Sequence, residues 1–244
     1  MKTVCTIEAR MRSSRLPDKV MLPILGRPML ELMIERLQRT PQIDEVVIAT
    51  TDDPSCEPIA ALAERVGVGC FRGSEEDVLD RVLQAARFVN ADMIVETTGD
   101  CPVIDPKIIS EVIEAFRKSD ADYCANILER TYPRGMDVQV FPVKVLAEVA
   151  ELTDDPADRE HVSLYIYEHP ERYRLLNVKS DLASDVADLR LTVDTPEDFR
   201  LIKEIYERLY PTKPDFDLAD ILELFERNPE LKTINREIPQ KAVR

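Results

Sequence analysis

Short apolar runs alternate with amphipathic segments along the first half of the chain, and this alternation limits the folds that it can adopt. Apolar and β-branched residues predict strands at 3–7, 45–50, 68–71 and 93–96. Apolar residues at helical spacing between them predict helices at 29–37, 59–66 and 75–90. Strands that alternate with helices of this length favour an α/β fold with a mostly parallel sheet covered on both faces.

Helix boundaries are marked by capping residues. Ser74 and Asp77 resemble a capping box that opens the helix at 75, and Asp105 with Pro106 opens a helix that reaches 118. Thr195, followed by Pro196, Glu197 and Asp198, opens a helix to 210, and Asp217 caps a last one to 227. These caps fix where the helices begin.

The alternation weakens after residue 126. Extended segments are predicted at 121–126, 137–141 and 173–178, helices at 143–152 and 159–168, and a last strand at 188–193. With 244 residues and no low-complexity linker, we interpret the chain as one domain over 1–244 with a β-excursion around 127–180.

A basic segment follows the first predicted strand directly. Between residues 9 and 27 it has five cations against Asp18 alone, in a chain whose net charge is −15; the cations are Arg10, Arg12, Arg15, Lys19 and Arg27. Loops at the carboxyl ends of parallel strands bind ligands in α/β folds, and guanidinium groups pair well with phosphate. The segment therefore predicts a polyanion site, with a solvated basic loop as the simpler interpretation.

Overall charge and composition exclude several classes of function. The acidic balance argues against nonspecific binding to nucleic acid or to an anionic membrane, because both depend on clustered positive charge. Since no apolar run is long enough to span a bilayer, we expect a cytoplasmic protein. Its five cysteines include no C-x-x-C pair, which favours reduced thiols over a disulfide framework or a zinc site.

Two acids follow predicted strands, Asp100 and Asp194. If both strands run parallel in one sheet, their carboxylates open on the same crevice as the basic segment. A pair of oxygen ligands suits Mg²⁺, which keeps its waters and bridges to substrate phosphates. The alternative is that Asp194 belongs to a helix-capping turn and Asp100 to a Gly-Asp loop.

The sequence resembles a known family at several places along its length. The motifs are ARMRSSRLPDK at 9–19, ATTDD at 49–53, FRGSEEDVLDR at 71–81, TGDCP at 98–102, RTYPRG at 130–135, DREHV at 158–162 and VDTPED at 193–198. They look like the cytidylyltransferase superfamily. The branch that they resemble is the spore-coat polysaccharide biosynthesis cytidylyltransferase-like family, which is similar to the acylneuraminate and 3-deoxy-manno-octulosonate cytidylyltransferases.

The resemblance implies a Rossmann-like nucleotidyltransferase fold that transfers CMP from CTP to a sugar-type acceptor, with Mg²⁺ on Asp100 and Asp194. It implies a catalytic set of four residues, Arg10, Arg15, Lys19 and Asp100. It places the nucleotide beside Ala9, Arg10, Ser13, Arg15, Lys19, Thr51, Arg72, Ser74 and Arg81, and the acceptor beside Arg134, Asp137 and His161. Related enzymes pair through the β-excursion, so a homodimer is expected.

Three residues depart from the family pattern. Arg12 and Asp18 stand where the family often has glycine, and Glu8 stands where relatives carry glutamine or proline, which adds negative charge beside the expected triphosphate site. Three alternative hypotheses remain beside a CTP enzyme: a sugar-1-phosphate nucleotidylyltransferase that uses another nucleoside triphosphate, a glycosyltransferase, and a catalytically idle nucleotide-binding protein. A glycosyltransferase would usually show an Asp-x-Asp metal motif after a strand, which the segment 100–102 does not provide.

Overall fold

A computed structural model describes residues 1–239. Its strands are β1 (Thr3–Glu8), β2 (Pro23–Ile24), β3 (Arg27–Pro28), β4 (Glu45–Thr51), β5 (Gly69–Gly73), β6 (Met93–Thr98), β7 (Tyr123–Ala125), β8 (Gln139–Pro142) and β9 (Leu175–Asn177). Its α-helices are α1 (Met29–Leu37), α2 (Glu57–Val66), α3 (Val78–Phe88), α4 (Pro106–Arg117), α5 (Val143–Leu152), α6 (Pro156–Glu160), α7 (Leu164–Glu168), α8 (Pro196–Leu209) and α9 (Leu218–Arg227).

One seven-stranded sheet has the order β5-β4-β1-β6-β8-β7-β9. Strands β5, β4, β1 and β6 are parallel, β8 runs antiparallel to both β6 and β7, and β9 runs parallel to β7. The predicted α/β fold with a mostly parallel sheet is thus confirmed. The antiparallel strand follows the point where the alternation of the sequence weakens.

Apolar side chains cover both faces of this sheet. One core includes residues of α1, α2, α4, α8 and α9, such as Met33, Ile109 and Ile205. The other includes residues of α3, α5 and α7, such as Leu83 and Leu146. Burial on both faces explains why the central strands read as continuous apolar runs. Within residues 1–239, no helix is long and apolar enough to cross a membrane.

Two helix predictions were wrong in detail. Helix α3 begins at Val78 and not at 75, because the Asp77 side chain accepts the hydrogen bond that caps it while Ser74 only braces the preceding turn. The single helix predicted at 159–168 is broken into α6 and α7. Val162 has a φ of +45° between them, and the Ser163 hydroxyl donates to Gln139 Oε1 at 2.7 Å. The bond from Ser163 to Gln139 of strand β8 holds the chain against the sheet, and the helix does not continue through this point.

The strand predicted at 188–193 was also wrong. Arg190 forms one isolated parallel bridge with Arg134, and the backbone N–H of Leu191 donates to the Arg134 carbonyl at 2.8 Å. Leu191 and Val193 are buried, so the alternating apolar pattern is real. It reflects packing of an extended loop against the core and not a continuous ladder.

Gly135 allows this loop to approach. Its φ is +97°, and a Cβ built there would lie 2.7 Å from the backbone carbon and oxygen of Leu191. Gly135→Ala is therefore expected to lower the free energy of unfolding by about 3 kcal/mol, because a left-handed conformation and a backbone clash add. Urea denaturation measures this loss.

Gly26→Ala is the matched control for the Gly135 prediction. Gly26 has a φ of +76°, and apart from its two neighbours in the sequence no residue of the described chain has an atom within 4 Å of a Cβ built there. It should lose only the conformational cost, about 1 kcal/mol. Equal losses in the two variants would show that the approach to Leu191 contributes nothing.

Candidate active site

The basic segment and the two predicted acids meet at the carboxyl end of the parallel strands. Strand β1 ends at Glu8 and β6 at Thr98, so residues 9–19 and Asp100 leave the sheet side by side. The loop that carries Asp194 joins them because the Val193 N–H donates to the Asp100 carbonyl at 2.8 Å. A backbone contact, and not a strand end, therefore positions Asp194.

Lys19 bridges the two acids. Its Nζ lies 2.9 Å from Asp194 Oδ1 and 3.7 Å from Asp100 Oδ2, and it donates to the Val193 carbonyl at 2.8 Å. Burial opposes the charge on Lys19, but Asp100 and Asp194 outweigh it and raise the pKa of the ammonium. The side chain is a fixed cation between two carboxylates.

Asp194 is the centre of a cluster of cations. Besides Lys19, Arg15 Nη2 lies 3.1 Å from Oδ1 and Arg190 Nη2 lies 2.6 Å from Oδ2. Burial would raise the pKa of Asp194, but Lys19, Arg15 and Arg190 together lower it. The carboxylate is therefore ionised at neutral pH, and cations contact both of its oxygens.

Sequence reasoning missed the residues that orient these acids. The Thr98 hydroxyl donates to Asp100 Oδ1. Arg190 also bonds Asp198 Oδ1 through Nε at 3.0 Å, and the Asn235 amide donates to the Arg190 carbonyl and to Asp198 Oδ1. No motif marks Arg190, because its role depends on a turn and on a residue far along the chain.

The basic loop encloses a cavity of about 450 Å³ lined by Arg10, Arg12, Ser13 and Ser14, among others. Arg10 Nη1 lies 3.5 Å from Glu75 Oε1, and Arg12 Nη2 lies 2.8 Å from Asp53 Oδ2. These guanidinium groups are therefore held at the rim by acids of neighbouring loops. The buried Ala9 begins the loop, its N–H donating to the Ala49 carbonyl at 3.4 Å.

The two unusual loop residues differ in their backbone. Asp18 has a φ of +57°, in the left-handed region that glycine adopts most easily, whereas Arg12 is not among the residues of positive φ. Aspartate tolerates this region better than most residues, so the turn forms without glycine. Its carbonyl accepts the N–H of Met21 at 2.8 Å, which starts a short 3₁₀ turn at Lys19.

The residues predicted to contact base and ribose brace the loops after β4 and β5. Arg72 donates to the Thr51 carbonyl at 3.3 Å and pairs with Glu57 at 2.6 Å. Arg81 is buried and donates to the Ala49 carbonyl at 3.2 Å and to the Ser74 carbonyl. The backbone of this region is thus tied together by two guanidinium groups.

The three predicted acceptor residues are not joined by any hydrogen bond or ion pair within residues 1–239. Arg134 lines a second cavity, beside Arg190. Asp137 pairs with Arg130 at 2.6 Å, an ion pair that no motif predicts. His161 caps the end of α6, where its N–H donates to the Ala157 carbonyl at 2.9 Å.

Glu8 does not place a full negative charge beside the loop. Its Oε1 is buried without a hydrogen-bond partner in the described chain. Burial raises the pKa of the Glu8 carboxyl to about 8, with Arg81 opposing the shift and Asp100 adding to it. At neutral pH the carboxyl is therefore mostly protonated, and it resembles a neutral glutamine side chain.

This burial predicts an unusual dependence of stability on pH. The unfolded chain loses the Glu8 proton near pH 4.5, whereas the folded chain keeps it to about pH 8. Stability therefore falls as pH rises between these values, because the folded state binds the extra proton. Glu8→Gln removes this loss and should stabilise the protein by on the order of 4 kcal/mol at pH 8 and by almost nothing below pH 4.5.

Urea denaturation at pH 4.5 and pH 8 tests the Glu8 prediction. The matched control is Glu76→Gln, at an exposed glutamate of the same region. A stabilisation by Glu8→Gln that is equal at both pH values, or that Glu76→Gln reproduces, would contradict the burial of a protonated carboxyl.

Comparison with known proteins identifies the family. A family model described as cytidylyltransferase matches residues 4–236. The spore coat polysaccharide biosynthesis protein SpsF of Bacillus subtilis is 33% identical over 93% of this chain and 95% of its own length. The 3-deoxy-manno-octulosonate cytidylyltransferase of Geobacter metallireducens is 26% identical over 93% of this chain and 99% of its own length.

A solved structure extends this likeness to the whole fold. The structure of a cytidylyltransferase from Leptospira borgpetersenii superposes with a TM-score of 0.90 at 32% identity, and the match covers 99% of this chain and 100% of that one. The range that the family model matches includes the motifs at 9–19, 98–102 and 193–198. The chain belongs to the cytidylyltransferase family.

Proposed function

We propose that this protein transfers CMP from CTP to a sugar-type acceptor and releases pyrophosphate, in the biosynthesis of a surface polysaccharide or glycan. The observation that carries the proposal is the pair of carboxylates, Asp100 and Asp194, bridged by Lys19 beside a loop of arginines. The relatives named for spore-coat polysaccharide biosynthesis and for cytidylyl transfer support the substrate class.

The reaction needs positioning and charge neutralisation more than covalent chemistry. An acceptor oxygen attacks the α-phosphorus, and the bond to the bridging oxygen of the β-phosphate breaks, so that pyrophosphate leaves in line. Arg10, Ser13, Arg15 and Lys19 would bind the phosphate oxygens and neutralise charge that builds on the leaving group. The Ala9 backbone would lie against the nucleotide at the start of the same loop.

Asp100 and Asp194 fit a divalent cation such as Mg²⁺. Both carboxylates contact one cation already, that of Lys19, so they face a common point. Within residues 1–239 no group of three or more histidine, cysteine, aspartate or glutamate side chains could hold a metal, which excludes an all-protein cage there. Two carboxylates completed by substrate oxygens are the usual Mg²⁺ arrangement, and the ion supplies charge neutralisation at the phosphates when bound.

The remaining residues would select the substrates. Thr51 and Ser74 would lie near base and ribose, in loops that Arg72 and Arg81 hold in place. The acceptor would lie beside a final set of three residues, Arg134, Asp137 and His161. We further propose that the chain forms a single domain with a β-excursion at 127–180. The protein would form a homodimer that pairs through this excursion, and it would lie in the cytoplasm.

Pyrophosphate release tests the function. The protein with Mg²⁺ is given CTP, UTP, GTP or ATP, each with a pool of acid sugars and sugar phosphates, and thermal shift reports nucleotide binding alone. We expect release with CTP at least about tenfold faster than with any other nucleotide. Faster release with UTP, GTP or ATP would identify a nucleotidylyltransferase of different base preference, and a thermal shift without release from any pair would favour an idle site.

A further inference from the structure

A second cavity is lined by Arg190, whose side chain also bonds Asp194 of the candidate metal site. Its volume is about 470 Å³. Its walls come from the Arg134 and Arg190 loops and from the C-terminal segment 229–238, which packs against α8 and α9. Apolar side chains, including Leu201 and Phe225, form part of its lining. The cavity is large enough for a small organic anion.

Positive charge dominates this cavity although the chain as a whole is acidic. Within residues 1–239, Arg134, Lys232 and Arg236 line it beside two carboxylates, those of Asp185 and Asp188, while a further lining cation, Arg190, pairs with Asp194 and Asp198. Elsewhere arginines such as Arg27 and Arg65 pair with glutamates. Within residues 1–239, no ion pair is formed by Arg134, Lys232 or Arg236. Unpaired cations around one concavity favour an anionic occupant.

Arg134 is the cation with the most to gain from such an occupant. It is only partly exposed. Burial, with the like charges of Arg130 and Arg190, lowers the pKa of its guanidinium although Asp137 opposes the shift. A carboxylate or phosphate beside it would restore the favourable interactions that water provides at an exposed arginine, and would accept paired hydrogen bonds.

Arg190 connects this cavity to the candidate metal site. Its side chain lines the cavity and also bonds Asp194 at 2.6 Å and Asp198 at 3.0 Å. An anion bound in the cavity would share the Arg190 guanidinium with Asp194. Binding of an anion in the cavity would therefore change the affinity of Asp194 for its cations. A change in the cations at Asp194 would in turn change the affinity of the cavity for the anion.

We propose that this cavity binds a carboxylate or phosphate group, held by Arg134, Lys232 and Arg236, at a subsite separate from that of the nucleotide triphosphate. The group belongs either to the acceptor, in which case the inference rests on the proposed function, or to a free anion that adjusts activity. An acceptor substituent and a free anion would present the same carboxylate or phosphate group to the same residues.

The test uses binding of inorganic phosphate and of glucuronate, measured by calorimetry without nucleotide. All binding measurements use Arg10→Ala/Arg12→Ala as the background variant, because its basic loop binds less of the anion that is meant for the cavity. We expect binding at millimolar concentration, weakened at least about tenfold when Lys232→Ala/Arg236→Ala is added, because two cations are lost. No binding to the background variant, or equal affinity after the addition, would overturn the proposal.

The matched control adds Lys203→Ala/Arg227→Ala to the same background. These residues pair with Glu207 and Glu223 on the surfaces of α8 and α9, so the same net charge is removed away from the cavity. The affinity for the probe should not change, and an equal loss in this control would also overturn the proposal.

Initial rates of the wild-type protein distinguish the two sources. A phosphate effect is assigned to the cavity only if Lys232→Ala/Arg236→Ala abolishes it, because the basic loop also binds phosphate. If that effect is competition with the acceptor, an acceptor substituent occupies the cavity. If the rate changes without competition, a free anion occupies it. Either result supports a site in this cavity, since the binding measurement requires no turnover.

Discussion

Asp194→Asn and Asp100→Asn are each expected to lower the rate of pyrophosphate release by about 10²- to 10³-fold, the usual loss when one preorganised charged group is removed. Both carboxylates face Lys19, and the amide cannot hold a divalent cation as a carboxylate does. The loss should appear in kcat with a higher requirement for Mg²⁺. Steady-state rates over a range of Mg²⁺ concentration measure both effects.

The two asparagine variants should differ in stability. Asp194 bonds Lys19, Arg15 and Arg190, so its replacement leaves three cations close together. Asp194→Asn should therefore lower the free energy of unfolding more than Asp100→Asn does. Asp154→Asn, at a fully exposed side chain, is the control for the change of charge. Turnover that survives in both folded variants would show that the metal assignment is wrong.

Lys19→Met is expected to have two effects of opposite sign. The rate should fall about a hundredfold, because a cation that would neutralise the triphosphate is lost. Binding of Mn²⁺ without nucleotide should become about tenfold tighter, because an ammonium 2.9 Å from Asp194 and 3.7 Å from Asp100 no longer opposes a second cation there. Calorimetry with Mn²⁺ measures the second effect.

Opposite signs separate this account from simple loss of structure. A misfolded variant would lose both turnover and metal binding. Arg65→Met removes a cation that pairs with Glu31 on the surface and should change neither quantity. Weaker Mn²⁺ binding in a folded Lys19→Met variant would show that Lys19 does not compete for the two acids.

The local signals of the sequence were sufficient for most of the fold. Capping residues act within one turn of helix, so Asp105, Thr195 and Asp217 could be recognised as N-caps without knowledge of tertiary structure. The break at Val162 could not be predicted, because it depends on a bond from Ser163 to Gln139 in a strand. The prediction of a strand at 188–193 was wrong for the same reason, because packing against Gly135 replaces strand pairing there.

The site was predictable only where a motif carried it. The basic loop, Asp100 and Asp194 were each visible in the sequence, and the structure brings them together. Arg190 and Asn235 were not visible, because each acts through contacts with residues far away in the chain or in a turn. At Glu8 the sequence led to a wrong expectation. Its position implied an added negative charge beside the basic loop, whereas burial raises the pKa of its carboxyl to about 8 and keeps it mostly neutral.

The central claim is that the α-phosphorus of CTP is the site of attack, and ³¹P nuclear magnetic resonance of a reaction mixture tests it most directly. With CTP, Mg²⁺ and a competent acceptor from the pool of acid sugars and sugar phosphates, we predict pyrophosphate and a new conjugate of CMP with the acceptor in equal amounts. The conjugate is an ester if a hydroxyl attacks and a diphosphate if a phosphate oxygen attacks. Formation of CDP with inorganic phosphate or a phosphorylated acceptor would place the attack at the γ-phosphorus and contradict the account.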